Sequence, residues 1–435
     1  MLKKVLALAA LFALSNPAYA VAQDKLIQLL PKLFGNSGLT VDSDAPLAGG
    51  ISHSAHFNSS FQQSFTPFNT ALATQLAAVP LPSPASGFTY SLDPALGVFK
   101  RSTQSFGPIL SDRAETIGKK KLSMGFTYQR FSFDSIDGLD LGAVPVVFTH
   151  DNPVAGTGRD DVVTTSNAID LKVSQFTAFL NYGLTDRMDV SLAIPLVSVD
   201  FAATSIATIQ RIGTINPAIH FYGRTPSGGF GNQATFSSSG SATGIGDILL
   251  RLKATAYRQG GTGLAVGGEV RLPTGDEEDL LGSGATGIKP FVVFSSAHER
   301  VSPHVKLAYQ WNGESVLAAG VIGSGEKGDL PDQFFYEVGA DLGVSKKLTL
   351  ALDLLGRRVI DGERLSTETF QALDNQSTFP NVRFQTESFN VIDGAVGVKI
   401  NPTGSLLVDF NLLFKLNDSG LRDTVTPLLG IEYSF

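Results

Sequence analysis

Cysteine is absent from all 435 residues, which excludes disulfide frameworks, thiolate metal sites and thiol nucleophiles. A chain that crosses an oxidising compartment gains from this, because no thiol can mispair. Charge is scarce too, at 17% Asp, Glu, Lys and Arg, yet no helix-length apolar run occurs beyond the first twenty residues. With 45 Gly, 30 Phe and a positive mean hydropathy, the apolar residues must be spread in alternation. Basic residues are outnumbered 33 to 40, so nucleic acid is not an expected partner. The HExxH, GxSxG and GxxxxGK[ST] signatures are missing as well, and neither an enzymatic activity nor a cofactor is expected.

What is present begins with a secretory layout over residues 1–20. Lys3 and Lys4 precede an apolar run from Val5 to Leu14, then come Pro17 and the small-residue site Ala18-Tyr19-Ala20. About ten apolar residues are too few to cross a bilayer of roughly 30 Å as a helix, so cleavage after Ala20 or Ala22 is expected. Loss of Lys3 and Lys4 leaves 31 basic residues against 40 acidic, a net charge near -9.

Residues 21–118 differ in pattern from the remainder of the chain. Asp24 to Phe34 reads as a short amphipathic helix, and Ala55 to Ala78 as a second one. In the second, Phe57, Phe61, Phe65, Phe68, Leu72 and Leu76 recur at three- and four-residue spacing, with a kink expected at Pro67. Pro80, Pro82 and Pro84 end any helix, and Gly87 to Phe106 holds short β-like pieces. Folded inside a barrel, Phe57, Phe61, Phe65, Phe68 and Leu72 would form a plug that blocks water and offers an apolar surface; the alternative is a periplasmic segment.

From residue 119 to 435 the period becomes two, and twelve strand candidates can be counted. Ile248, Leu250, Leu252, Ala254 and Ala256 alternate with Asp247, Leu249, Arg251, Lys253 and Thr255. The pattern recurs around Leu307, Phe410 and Ile431. A soluble sandwich also alternates, but here tight connections such as 183–187, 258–262 and 401–405 alternate with long polar stretches at 134–165, 204–243, 274–287, 313–333 and 361–388. Short turns at one end and long loops at the other are the asymmetry of outer-membrane barrels. The reading is an all-β fold: a transmembrane antiparallel β-barrel of 12 to 14 strands with a partly helical N-terminal plug-like segment. A bulge is expected near Val173 to Phe176, where the parity slips.

One parity of these strands carries Asp247, Arg251, Lys253, Glu269, Arg271, Lys306, Glu337, Asp341, Asp353, Asp409, Lys415 and Glu432. Charge facing lipid at mid-depth costs about 2–4 kcal/mol, so these residues belong in the lumen. They either line a passage or pair with one another and hold the barrel rigid. Asp276, Glu277, Glu278 and Asp279 form an acidic cluster in an external loop, read as solvated, with a calcium site as the alternative and no metal ligand set assigned. The chain ends Gly430-Ile431-Glu432-Tyr433-Ser434-Phe435, which resembles the closing strand of outer-membrane barrels; Phe435 is the expected signal for the barrel assembly machinery.

The stretch Gly244-Ile245-Gly246-Asp247-Ile248-Leu249-Leu250-Arg251, with Leu272-Pro273-Thr274-Gly275-Asp276 after it, resembles the outer-membrane proteins of the phenol-degradation meta-pathway family. That family is distantly similar to long-chain fatty-acid transporters. Tyr182 to Val190, continuing to Ile194-Pro195, fits its strand-turn-strand, so the resemblance covers about residues 176 to 311. It implies passive uptake of small hydrophobic or aromatic compounds across the outer membrane of a Gram-negative-type bacterium. It supplies no catalytic residues. Lipid, lipopolysaccharide and the solute are the partners it implies, and oligomeric state is left open. A general diffusion porin and a structural or adhesive barrel are the competing readings. The mature polypeptide should fold only in detergent or lipid; a folded, monodisperse state in detergent-free buffer, seen by circular dichroism and gel filtration, would contradict the whole reading.

Overall fold

The computed structural model describes residues 24–44, 57–58, 66–78, 90–93, 98–101, 105–150, 160–213, 216–319 and 325–435. Residues 1–20, expected as a leader, and Phe61 and Phe65 lie outside the described residues. Twelve strands form a closed antiparallel ring in chain order. They are β1 (Leu122–Phe133), β2 (Val162–Thr185), β3 (Met188–Gln210), β4 (Ile248–Gln259), β5 (Thr262–Leu272) and β6 (Gly287–Ser296). The second half comprises β7 (Val301–Asn312), β8 (Gln333–Ser345), β9 (Leu348–Gln371), β10 (Thr378–Ile400), β11 (Leu406–Lys415) and β12 (Val425–Ser434). The ring closes where β12 pairs with β1, Tyr433 opposite Met124 and Leu428 opposite Gln129. Hydrocarbon offers no hydrogen-bond partner, so only an edgeless sheet can cross it.

Alternation sorts the faces. Phe126, Leu250, Leu252, Leu307, Leu352 and Phe410 point outward and are exposed, while Thr127, Arg251, Lys253, Lys306, Asp353 and Asp409 point inward and are buried. An exposed belt of this kind, wrapped around a polar interior, is the surface of a barrel that spans the outer membrane. Tight turns lie at the end where β1 begins and β12 finishes. Gly260 and Gly261, both with positive φ (57° and 88°), join β4 to β5 in the two-residue geometry that only glycine-like residues adopt without strain.

Three further features correct the sequence reading. No bulge interrupts β2 near Val173: its register with β3 runs unbroken from Val162 to Gly183. The parity slips because the apolar face changes sides. Below Phe176, which pairs with Leu196, the outward residues are apolar; above it, Ser174, Lys172 and Asp170 face out, while Val173, Leu171 and Ile169 are buried inside. On β3 the same switch puts Ser198 and Asp200 outside and Val197, Val199 and Phe201 inside. The switch marks where lipid gives way to water outside and where an apolar segment fills the barrel inside.

The stretch 361–388, expected as a loop, is largely strand, and so are both ends of 204–243. β3 continues to Gln210 and pairs with a further strand, Gln233–Ile245; β9 and β10 form a long hairpin up to Gln371 and Thr378. Beyond the membrane both faces meet water, so polar composition no longer separates strand from loop.

The N-terminal helices are also fewer. Asp24 to Phe34 forms a 3-10 turn at Leu26–Gln28 and then further turns in place of a regular helix; Leu26, Ile27, Leu29, Leu30, Leu33 and Phe34 are buried while Asp24 is exposed and Lys25, Gln28 and Lys32 are half-buried, so the amphipathic split is present without the helix. The second helix, α1, spans only Thr66–Ala77. Pro67 sits in its first turn, where a missing N–H costs nothing, and so starts the helix instead of kinking it. Phe57 lies in a short strand paired with Val144–His150, and Tyr90–Asp93 pairs with Val98–Arg101 in a hairpin separate from the barrel.

The belt gives a direct test. Leu252→Arg should lower the folding free energy by about 2–4 kcal/mol in phospholipid vesicles, read from urea titrations, whereas Leu252→Ala should cost much less. Equal stability of Leu252→Arg and wild type would place that face outside the lipid.

Candidate functional site in the lumen

The lumen is filled at three levels by residues that precede β1. At the outer mouth, Leu26 to Phe34 and Leu39 to Val41 join the inward residues of β2 and β3 in the main apolar core. Phe34 packs edge-on against Phe148 and Phe236, at 5.2 and 5.1 Å between ring centroids. Ile27 N donates to Glu278 O (3.1 Å), and Lys25 Nζ bridges Asp276 and Asp279 at 2.7 Å each. The acidic loop is therefore a latch for the N-terminal segment, not a free solvated cluster. Asp276 and Asp279 hold the Lys25 ammonium above the usual lysine range; partial burial pushes Asp276 up, but its bonds from Lys25 and from the Asp279 and Glu278 amides outweigh that and leave it lowered.

Below the mouth stands α1. Phe68 and Leu72 are buried, and Phe68 stacks on Phe201 at 6.2 Å. Thr70 Oγ1 donates to Leu317 O (3.0 Å) in the loop after β7. The C-terminal turn, whose last carbonyls lack helical partners, is met by wall residues: Arg271 donates to Ala77 O (2.9 Å), Gln333 to Thr74 O (3.5 Å) and Arg357 to the Gln75 side chain.

Nearer the periplasmic end, residues 105–118 run across the lumen, gripped by the wall through their backbone. Lys253 Nζ donates to the carbonyls of Arg113 (2.9 Å) and Glu115 (2.7 Å), Thr255 to that of Ala114 (2.6 Å) and Lys399 to that of Pro108 (2.7 Å). In return, Ala114 N donates to Ser295 Oγ (3.0 Å), Ile117 N to Asp189 (3.1 Å) and Phe106 N to Thr349 Oγ1 (2.9 Å). Asp112 also pairs with Arg251 and, at 3.3 Å, with Lys253.

Of the twelve charged residues singled out from the sequence, nine are buried and Asp247, Glu269 and Lys415 half-buried; Lys306 with Glu337 and Asp247 with Arg271 pair within the set, and the others face residues outside it. Lys306 meets Glu337 at 3.1 Å, Glu269 meets Lys289, and His304 sits between Asp353 (2.7 Å) and Asp341 (3.6 Å). Glu432 accepts from Ser123 (2.6 Å), and Asp409 lies opposite Lys399 in the register. Lys415 is at the outer rim with Asp418 (3.2 Å) and Asp134 (3.6 Å). Asp247 has a local duty: it accepts from Ser283 N and Oγ (2.8 and 2.6 Å) and from Gly275 N (3.2 Å), with Arg271 at 3.6 Å.

Sequence reasoning passed over Asp189, Lys289, Arg357 and Lys399, although each lies on the same inward parity, and over residues 105–118 altogether. Between the end of α1 and Leu110–Asp112 a chamber of about 110 Å³ remains. Phe179, Phe335, Leu249 and Leu355 line part of it, and Arg251, Glu269, Lys289, Lys306 and Arg357 the rest. Its volume is of the same order as the roughly 150 Å³ apolar cavity that admits benzene.

Fold and lumen together define a plugged outer-membrane β-barrel. A family model described as "Putative MetA-pathway of phenol degradation" matches residues 151–422, well over half of the sequence. The chain belongs to that family. Its Gly-Asp and Leu-Pro-Thr-Gly-Asp stretches interlock: Thr274 Oγ1 donates to Gly246 O (2.6 Å) and accepts from Ile248 N (3.1 Å), while Asp247 takes the Gly275 amide. Among solved structures, an outer-membrane channel of Pseudomonas putida F1 shares 12% identity over 75% of this chain and 99% of its own, with a TM-score of 0.45. The toluene transporter of Ralstonia pickettii shares 12% over 73% and 90%, with a TM-score of 0.33, and a monoaromatic hydrocarbon channel 10% over 74% and 92%, with a TM-score of 0.34. No characterised protein matches at the sequence level.

The latch predicts a pH window. Asp276, lowered by folding, contributes stability above the ordinary carboxylate value and loses it as pH falls through its lowered one; Lys25, raised, contributes below the ordinary lysine value and loses it only as pH rises far beyond. The latch should therefore hold from about pH 4 to about pH 10. At pH 7, Lys25→Ala should speed hydrogen exchange at amides 26–34. Unaltered protection in that variant would show that the latch bears no load.

Proposed function

We propose that this chain is a passive outer-membrane channel for small hydrophobic or aromatic solutes, and not an enzyme. One observation carries the reading: the barrel is wide enough for a passage, yet its described residues fill it at three levels and leave a chamber of single-ring size with a partly apolar wall. A general diffusion porin needs a continuous aqueous bore. The family description, which concerns phenol degradation, favours an aromatic solute. The inward charges, Asp247, Arg251, Lys253, Glu269, Arg271, Lys306, Glu337, Asp341, Asp353, Asp409, Lys415 and Glu432, then serve as the frame that fixes the segments in the lumen. Phe57, Phe68 and Leu72 give the solute an apolar surface on the way in. Phe435, exposed at the end of β12, is the element for the assembly machinery to recognise.

In this reading α1 is the moving part. Besides the apolar packing of Phe68 and Leu72 it is joined to the wall by a few polar contacts, at Thr70, Thr74, Gln75 and Ala77, whereas residues 105–118 are pinned along their length. Passage requires α1 to shift from Leu317 and from Arg271 and Gln333. Because cysteine is absent, a single engineered pair reports cleanly. A disulfide between Thr70→Cys and Leu317→Cys should suppress uptake of a neutral aromatic probe into proteoliposomes by about tenfold or more, and reductant should restore it. Equal flux in the oxidised and reduced states would remove α1 from the path.

A further inference from the structure

The chamber wall holds five basic side chains, and four have an acidic partner within ion-pair distance. Arg251 has Asp112, Arg271 has Asp247, Lys289 has Glu269, and Lys306 has Glu337. The fifth, Arg357, is only 8% exposed. Among the described residues no carboxylate lies within 4.0 Å of it; its hydrogen bond goes to the neutral Gln75 side chain of α1, and its Nε has no partner. Asp393, which lines the same chamber, is taken by Arg422, which donates to both of its oxygens. Of the five basic side chains in the chamber wall, this guanidinium is the one with no carboxylate at ion-pair distance among the described residues.

A buried charge without a counter-charge is costly, and an anion brought to it recovers part of that cost. A guanidinium also presents parallel N–H groups that match a carboxylate's two oxygens. Beside it the wall is apolar. Phe335 is the direct cross-strand neighbour of Arg357, and Phe179, Leu249 and Leu355 line the same space. The chamber therefore suits an anionic head at Arg357 with a small hydrocarbon or aromatic body against Phe335, Phe179, Leu249 and Leu355, the paired charges lining the remainder.

We propose that the chamber recognises a small organic anion with an apolar body, an aromatic or short aliphatic carboxylate, and that Arg357 is its receptor. The proposal rests on the channel reading and narrows its solute. Since Arg357 also holds Gln75 of α1, an anion that takes the guanidinium weakens one of the contacts near the end of the helix, so recognition and displacement of α1 fall on the same side chain.

Equilibrium dialysis of detergent-solubilised protein against labelled benzoate, with benzamide as the neutral isostere and inorganic phosphate as a competitor, tests this. The wild type should bind benzoate at least about tenfold more tightly than benzamide, with phosphate a poor competitor. Arg357→Gln should erase the preference, and Arg357→Lys should keep part of it. Equal binding of benzoate and benzamide by the wild type, which needs no variant, would overturn the proposal, as would benzoate binding indifferent to Arg357→Gln. Phosphate competing as well as benzoate would also overturn it, since the apolar body would then contribute nothing. Failure here with intact, crosslink-sensitive flux of a neutral probe would leave the channel reading standing; loss of that flux as well would remove both.

Discussion

Hydrocarbon cannot hydrogen-bond to a peptide group, and that single fact organises the molecule. It forces twelve strands into a ring, fixes the pairing of Tyr433 with Met124 as the seam, and allots every second side chain to lipid. What remains, the inward parity, is freed from the demand to be apolar. The protein uses that freedom to build a frame of paired charges around a chain that would otherwise have no reason to stay in the lumen.

That frame works by two distinct means. Side-chain pairs such as Lys306 with Glu337 and His304 with Asp353 join neighbouring strands and brace the wall. Such pairs give little net stability when compared with apolar packing, but breaking one leaves a charge stranded, so they define a single arrangement. Lys253 and Lys399 do something else: their ammonium groups reach carbonyls of residues 105–118 and hold the segment by its backbone, beside the Asp112 side chain. The outer half, by contrast, is held by apolar packing between Leu26, Phe34, Phe68 and the inward residues of β2 and β3.

This division explains what could be read in the sequence. Strand parity, the tight turns and the inward charges were legible because one solvent rule acts on every strand between about Phe176 and Tyr182, or Leu250 and Ala254. The rule lapses above the lipid, which is why Val173 to Phe176 looked like a bulge and why the β9–β10 hairpin looked like a loop. Residues 105–118 were illegible for another reason: a backbone carbonyl that accepts from lysine leaves no trace in residue type. The inward position of Arg357 was visible by parity, but its lack of a carboxylate depends on Arg422 having claimed Asp393, a contact between strand and loop that no local pattern encodes.

The path of the chain before β1 has a topological consequence. Residues 25–41 are fixed at the outer mouth by Asp276 and Glu278, whereas Lys120 and Lys121 exchange backbone bonds with Gly183 at the opposite rim. The polypeptide is a cord drawn through a hoop and tied on both sides. Either the hoop is wrapped around the cord, the seam closing last, or the described residues before β1 are fed through a hoop already shut. In both cases the order of events in biogenesis is constrained by a knot-like relation that no inventory of contacts records, and a barrel sealed without its cord could acquire it only by opening or by feeding it from end to end.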